Sequence, residues 1–225
     1  IITALILAPL VILGIFFLPL PWFILALAVV TLLGFWEWTQ FVQHTSRYIA
    51  LLPAILVGGA SFLLISPAVQ SLATLNGTHF AILAIGTIWW LYSSFLAITF
   101  PRSRRWWEES NPARHLFGLL TLLPFFWSVV FLRAEGMETD FYHGAKLVLF
   151  VCLIVWAADS GAYFSGKSLG KHKMAPAVSP NKTIEGLVGG VIAAMIVGWL
   201  FADWFAIEFS SLSIMLLTIL LTVVI

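Results

Sequence analysis

Leu147–Phe164 reads LVLFVCLIVWAADSGAYF, an apolar run interrupted by one carboxylate, Asp159. A helix needs about 20 mostly apolar residues to cross the hydrocarbon core of a bilayer, and this stretch has that character. Comparable runs lie on both sides of it, at Ile1–Leu18, Trp22–Phe41, Tyr48–Ser66, Phe80–Phe100, Leu116–Leu132, Glu185–Ala202 and Phe209–Ile225. The breaks between them carry turn chemistry or charge, as in Pro19-Leu20-Pro21, Ser66-Pro67, Asn76-Gly77 and Pro101. Strands of a membrane β-barrel would be short and would alternate apolar with polar residues, and that alternation is absent. The expected fold is all-α: a polytopic helical membrane protein with about eight transmembrane helices. Residues 1–225 are expected to form a single transmembrane domain.

Composition agrees. Of 225 residues, 61% are apolar and 9% are charged, with a mean hydropathy of +1.04. A soluble domain carries about 25% charged residues, so lipid must be the solvent for most of this chain. The net charge is +1 and no basic helix or RNA-reading motif occurs, which excludes a nucleic-acid partner. Cys152 is the single cysteine, so neither an intramolecular disulfide nor a thiol–metal cluster can form. Ile1–Leu18 lacks the basic start and small-residue cleavage site of a signal peptide. Since the sequence opens without Met and closes inside an apolar run, a segment of a longer polypeptide is expected.

Positive charge sets the topology. With the N-terminus cytoplasmic, the inner loops hold Arg47, Arg102, Arg104, Arg105, Arg114, Lys167, Lys171, Lys173 and Lys182, nine of the eleven cations. Arg133 and Lys146 are left outside. A cytoplasmic N-terminus follows, and residues 165–184 become a cytoplasmic loop.

Charges placed within spans are costly and mark functional candidates. Glu37, Asp159 and Glu185 qualify, and the topology puts all three toward the cytoplasmic side, with Asp159 the deepest. Beside them runs Gly166-Lys167-Ser168-Leu169-Gly170-Lys171-His172-Lys173, followed by Ser179-Pro180-Asn181-Lys182-Thr183-Ile184-Glu185-Gly186. Ser179 is expected to cap a helix that has Pro180 in its first turn, making a helix N-terminus that attracts anions. Carboxylates for a cation next to ammonium groups for anions is the arrangement that phosphoryl and nucleotidyl transfer require. Gly186, Gly189 and Gly190 should let this helix pack closely. Trp36, Trp38, Trp89, Trp90, Trp106 and Trp107 read chiefly as interfacial belts. The bland readings stay open here: Glu37 as a snorkelling surface group, Glu185 as an ordinary first-turn acid, and the lysines as topological signals. So does a transporter using Glu37 and Asp159 as an ion relay, although that predicts charge near the midplane and broken helices in corresponding halves.

Val155–Tyr163, Gly170–Lys173 with Ala175-Pro176, and Val178–Gly186 closely resemble the bacterial phosphatidate cytidylyltransferase (CDP-diacylglycerol synthase) family. Weaker agreement extends to Trp36-Glu37-Trp38 and Leu123–Trp127. The resemblance implies a multi-pass enzyme of the bacterial inner membrane, its active site facing the cytoplasm. Such an enzyme joins CTP to phosphatidic acid for phospholipid biosynthesis, using Mg²⁺ and with a second cation as an option. Its partners would be these substrates and membrane lipids, with a homodimer left open. Asp159 would be catalytic and hold the metal, and Lys182 would be catalytic by neutralising phosphate charge. Lys167, Lys171, Lys173, Ser179, Thr183 and Glu185 would bind substrate. The family's best-known signature follows the eighth span and would lie beyond Ile225, so this segment is expected to be catalytically incomplete.

Overall fold

A computed structural model describes residues 2–42, 46–65, 72, 74–176 and 178–224. Among them run eight α-helices: α1 (Ile2–Phe17), α2 (Leu20–Trp38), α3 (Arg47–Leu64), α4 (Gly77–Ile98), α5 (Asn111–Ala134), α6 (His143–Leu169), α7 (Ile184–Trp204) and α8 (Leu212–Val224). Six of these, α2 to α7, are long and apolar enough to cross a membrane. The outer helices are shorter, with 16 residues in α1 and 13 in α8. At 1.5 Å per residue α8 reaches only about 20 Å, against about 30 Å of hydrocarbon. Its start has a local cause: the Ser211 hydroxyl accepts the Ile214 N–H at 3.2 Å, so the helix begins at Leu212 rather than at Phe209. The expected eight spans are therefore six long ones and two short apolar helices. Outward-facing side chains such as Leu63, 89% exposed, fit a lipid surround and would be untenable in water.

The chain divides into two compact units, Ile1–Leu96 with Arg102–Ala145 and Ala97–Pro101 with Lys146–Ile225. In the first, α2, α3 and α5 pack on one another and α4 joins α5. Bulk and buried polar contacts hold this unit. Trp127, almost fully buried, donates its indole N–H to the Ser61 hydroxyl at 2.9 Å and stacks near Phe62 and Phe131. Trp89 donates to the Thr121 hydroxyl at 2.9 Å, and Trp38 to the Arg114 carbonyl at 2.8 Å, its ring filling the space over Gly118. These two tryptophans are thus inter-helix fasteners rather than parts of a belt, because each indole found a part-buried acceptor on α5. Arg133 is wholly buried near the end of α5. Its guanidinium donates to the carbonyls of Ile15 at 2.8 Å and Leu18 at 3.4 Å, closing the C-terminus of α1.

The second unit is built from α6, α7 and α8 around Phe150, Ile154, Ala194, Ala202, Met215 and Ile219. Between α6 and α7 lies a two-stranded antiparallel hairpin, β1 (Lys173–Ala175) and β2 (Ser179–Thr183), with Lys173 opposite Thr183 and Ala175 opposite Ser179. The expected loop 165–184 is therefore more ordered than its composition suggested. Its first five residues are the last turn of α6, and much of the remainder is strand.

Candidate active site

The sequence-derived site residues apart from Glu37 all fall in the second unit, on one continuous path from α6 through the hairpin into α7. The seam between the two helices is made of small side chains. Ala158, Gly161, Ala162 and Ser165 of α6 face Gly186, Gly189, Gly190 and Ala193 of α7. A Cβ at Gly161 would lie 2.6 Å from Ala193 Cβ and 2.7 Å from the Gly189 carbonyl oxygen, so nothing larger than hydrogen fits. The Ser165 hydroxyl donates to the Gly161 carbonyl at 2.6 Å, with the Gly186 carbonyl at 3.4 Å on the other helix. Close packing at the glycines is as the sequence led one to expect.

This seam fixes the depth of Asp159. Residues 158 and 161 of α6 meet 190 and 189 of α7, so Asp159 lies about 9 Å further along α7 than Glu185, six residues at 1.5 Å each. Its side chain is exposed, off the face of α6 that meets the glycines of α7. Tyr163 and Lys167 follow at the i+4 and i+8 positions, with Lys167 Nζ 3.5 Å from the Tyr163 hydroxyl and 5.6 Å from its ring centre. One exposed ridge of α6 thus carries carboxylate, phenol and ammonium in order.

The start of α7 departs from expectation. Ser179 and Pro180 belong to β2, and the N-cap is Thr183, whose hydroxyl accepts the Gly186 N–H at 3.1 Å. Thr183 is extended (φ −125°, ψ 156°) and buried, so the strand runs straight into the helix. Pro180 is tolerated where it is because both strands of a two-stranded ribbon are edges. Ile184 completes the junction by donating its N–H to the His172 carbonyl at 3.0 Å.

Glu185, in the first turn of α7, bends back onto the hairpin. Its carboxylate accepts the backbone N–H groups of Lys171 at 3.1 Å and His172 at 3.2 Å, and meets His172 Nδ1 at 2.6 Å. An acid in the first turn also suits the positive end of the helix dipole. These contacts between residues 13 or 14 apart had no local signature in the sequence, and His172 shows no metal-ligand spacing to flag it. The result is a staple that fixes where Lys171 and Lys173 sit. Lys173 and Lys182 are exposed on the hairpin, Lys171 is exposed just before it, and Ser179 is half-buried at its turn-side end. The pieces assembled are therefore a lysine-bearing ribbon, a capped helix N-terminus and a carboxylate deeper on the neighbouring helix.

Glu37 belongs to the first unit. It lies near the end of α2, exposed, bonded by the Gln40 amide and 4.0 Å from the Arg47 guanidinium. Both of these partners, Gln40 and Arg47, belong to the first unit as well.

Known proteins resemble this chain along its length. Phosphatidate cytidylyltransferase of Haemophilus influenzae is 38% identical over 204 residues, covering 89% of this chain and 71% of that protein. The protein of the same name in Pseudomonas aeruginosa is 35% identical over 191 residues, covering 85% of this chain and 65% of its own length. The Bacillus subtilis protein of that name is 34% identical over 106 residues, 47% of this chain and 39% of its own length. The Cytidylyltransferase family profile matches residues 1–225, and with these relatives it settles the assignment: the chain belongs to the cytidylyltransferase family.

Proposed function

We propose that this chain is part of an enzyme that carries out cytidylyl transfer to phosphatidic acid. A phosphate oxygen of the lipid attacks the α-phosphorus of CTP, the bond to the bridging oxygen of the β-phosphate breaks, and pyrophosphate departs, leaving CDP-diacylglycerol. The observation that carries this reading is the hairpin running into the capped N-terminus of α7 in a chain of this family. Lys182, with Lys171 and Lys173 in support, neutralises charge on the triphosphate and on the departing pyrophosphate. Lys167 extends the same positive field up the ridge of α6. The positive end of the α7 dipole adds to that field. Such reactions run on positioning and electrostatic stabilisation and need no covalent intermediate.

Thr183 and Glu185 are already engaged, one with the helix backbone and the other with the hairpin. Their part in this reading is to hold the lysines still, and Ser179 is the ribbon hydroxyl without a partner among the described residues.

Mg²⁺ suits Asp159. Asp159 offers an exposed hard anionic oxygen, and no three His, Cys, Asp or Glu side chains gather among the described residues. A Mg²⁺ ion is commonly held through one or two carboxylates plus substrate phosphates, and Asp159 fits as such a ligand. Bound there, the ion would supply charge neutralisation along the phosphates. We place the hairpin on the cytoplasmic side of a bacterial inner membrane, where the positive-inside rule puts nine cations and where CTP is found.

The decisive test is Asp159→Asn in the whole protein, assayed for CTP- and Mg²⁺-dependent formation of CDP-diacylglycerol. Turnover should fall about 10²-fold or more, since the charge a hard cation needs is gone. Membrane insertion and thermal unfolding should be unchanged. A variant with wild-type turnover at ordinary Mg²⁺, or one that loses activity only through misfolding, removes Asp159 from the metal role.

A further inference from the structure

Between α4 and α5, in the first unit, the chain makes a short 3₁₀ turn, Arg102–Trp106. Ser103 pins it: the residue is buried and its hydroxyl donates to the Leu96 carbonyl at 2.8 Å. Side chains three apart in a 3₁₀ turn eclipse one another, so Arg102 and Arg105 stand on the same side. Both are exposed, and neither has an acceptor among the described residues. Arg104 is different. It pairs with Glu108, and that bond holds the Glu108 carboxyl below its usual range and raises the guanidinium. The one further acid of the segment, Glu109, is exposed and has no cation partner among the described residues.

One more feature points the same way. Trp106 is 55% exposed beside the unpaired guanidinia. Its neighbour Trp107 is turned inward, with a buried indole nitrogen, and takes no part in the exposed face. Both tryptophans lie between the last residue of α4, Ile98, and the first of α5, Asn111, so apolar helices flank the turn closely. That is the level of lipid headgroups, where indoles are enriched.

Planar guanidinia match phosphate oxygens, and two without a counter-ion leave a doubly cationic face unneutralised. A free phosphate would engage the arginines but would leave the indole and the flanking helices without a role. We propose that the Arg102–Trp106 turn is a docking surface for the phosphate of an anionic bilayer phospholipid, Arg102 and Arg105 sharing its oxygens and Trp106 lying beside the glycerol. This surface does not depend on the nucleotidyl-transfer reading, because any resident anionic lipid satisfies it.

The test reconstitutes the whole protein in phosphatidylcholine nanodiscs and titrates spin-labelled phosphatidylglycerol, reading the motionally restricted fraction. Arg102→Gln/Arg105→Gln should weaken association about 25-fold, about five-fold for each basic residue removed from a membrane surface. The charge-neutral pair Arg104→Gln/Glu108→Gln should leave it unchanged, millimolar inorganic phosphate should not compete, and spin-labelled phosphatidylcholine should not be retained. Any of four results overturns the proposal: unaltered association in the Arg102/Arg105 variant, equal loss in the Arg104/Glu108 variant, full displacement by inorganic phosphate, or equal retention of phosphatidylcholine. Circular dichroism of each variant separates these results from a folding defect, and Arg102→Lys/Arg105→Lys, which keeps the charge, gives partial recovery if docking is real and none if the loss was structural.

Discussion

The two units solve the same problem, holding apolar helices together in lipid, with opposite materials. In the first, α5 is fastened by indoles: Trp127 to Ser61, Trp89 to Thr121, and Trp38 over Gly118. In the second, α6 and α7 meet through Ala158, Gly161, Ala162, Gly186, Gly189 and Gly190, backbone almost on backbone. Large side chains fill space between helices but keep their axes apart. Small ones bring the axes together and spend little of the helix circumference on packing, so α6 keeps a whole ridge free for Asp159, Tyr163 and Lys167. The residues proposed to react thus sit where packing uses hydrogens and methyls, while the bulk of the aromatic fastening lies in the other unit.

The comparison can be broken at the seam. Gly161→Leu should be the most damaging substitution, costing about 3 kcal/mol, the upper end of ordinary overpacking, since the new carbons fall on Ala193 and on the Gly189 carbonyl. Unfolding in mixed micelles would measure it, and a variant as stable as wild type would mean that α6 and α7 are not in contact there. Next comes the charge carried beside that seam. Lys182→Ala should lower turnover about 10²-fold, about 2.7 kcal/mol of transition-state stabilisation, while unfolding stays put. Ordinary turnover in that variant would return Lys182 to the role of a topological signal. Smallest is the aromatic counterpart. Trp127→Phe keeps most of the ring but removes the bond to Ser61, and should cost about 1 kcal/mol with turnover unaffected. A loss of turnover without a loss of stability would undo the division of labour between the units.

Much of this could be read from the residues, for reasons that differ from place to place. The spans follow from hydropathy, because a helix in lipid must be apolar over its length and little else will do. Gly186, Gly189 and Gly190 announced a close approach since glycines in a spanning helix have few other uses. The helix start was misplaced because Ser179-Pro180 has capping chemistry of its own, and only the pairing of β2 with β1 shows that Thr183 does the work. Neither short strand carries a readable period. The Glu185 staple and the Trp38 bond were invisible for a simpler reason: their partners are 13 or 14 and 76 residues away, and no local pattern encodes such a distance. Tryptophans near span ends look alike in sequence whether they face headgroups or a neighbouring helix.

The Arg133 clasp on α1 also has a meaning in time. Its acceptors, Ile15 and Leu18, precede it by 118 and 115 residues. At a synthesis rate of about 5–20 residues per second, the last carbonyls of α1 are made roughly 6–24 seconds before the guanidinium that receives them. Through that interval the helix is in the bilayer with its end uncovered, and four further helices must be laid down before the clasp can close. Completion of the first unit therefore waits on its far end: α1 is made four helices before the residue that finishes it.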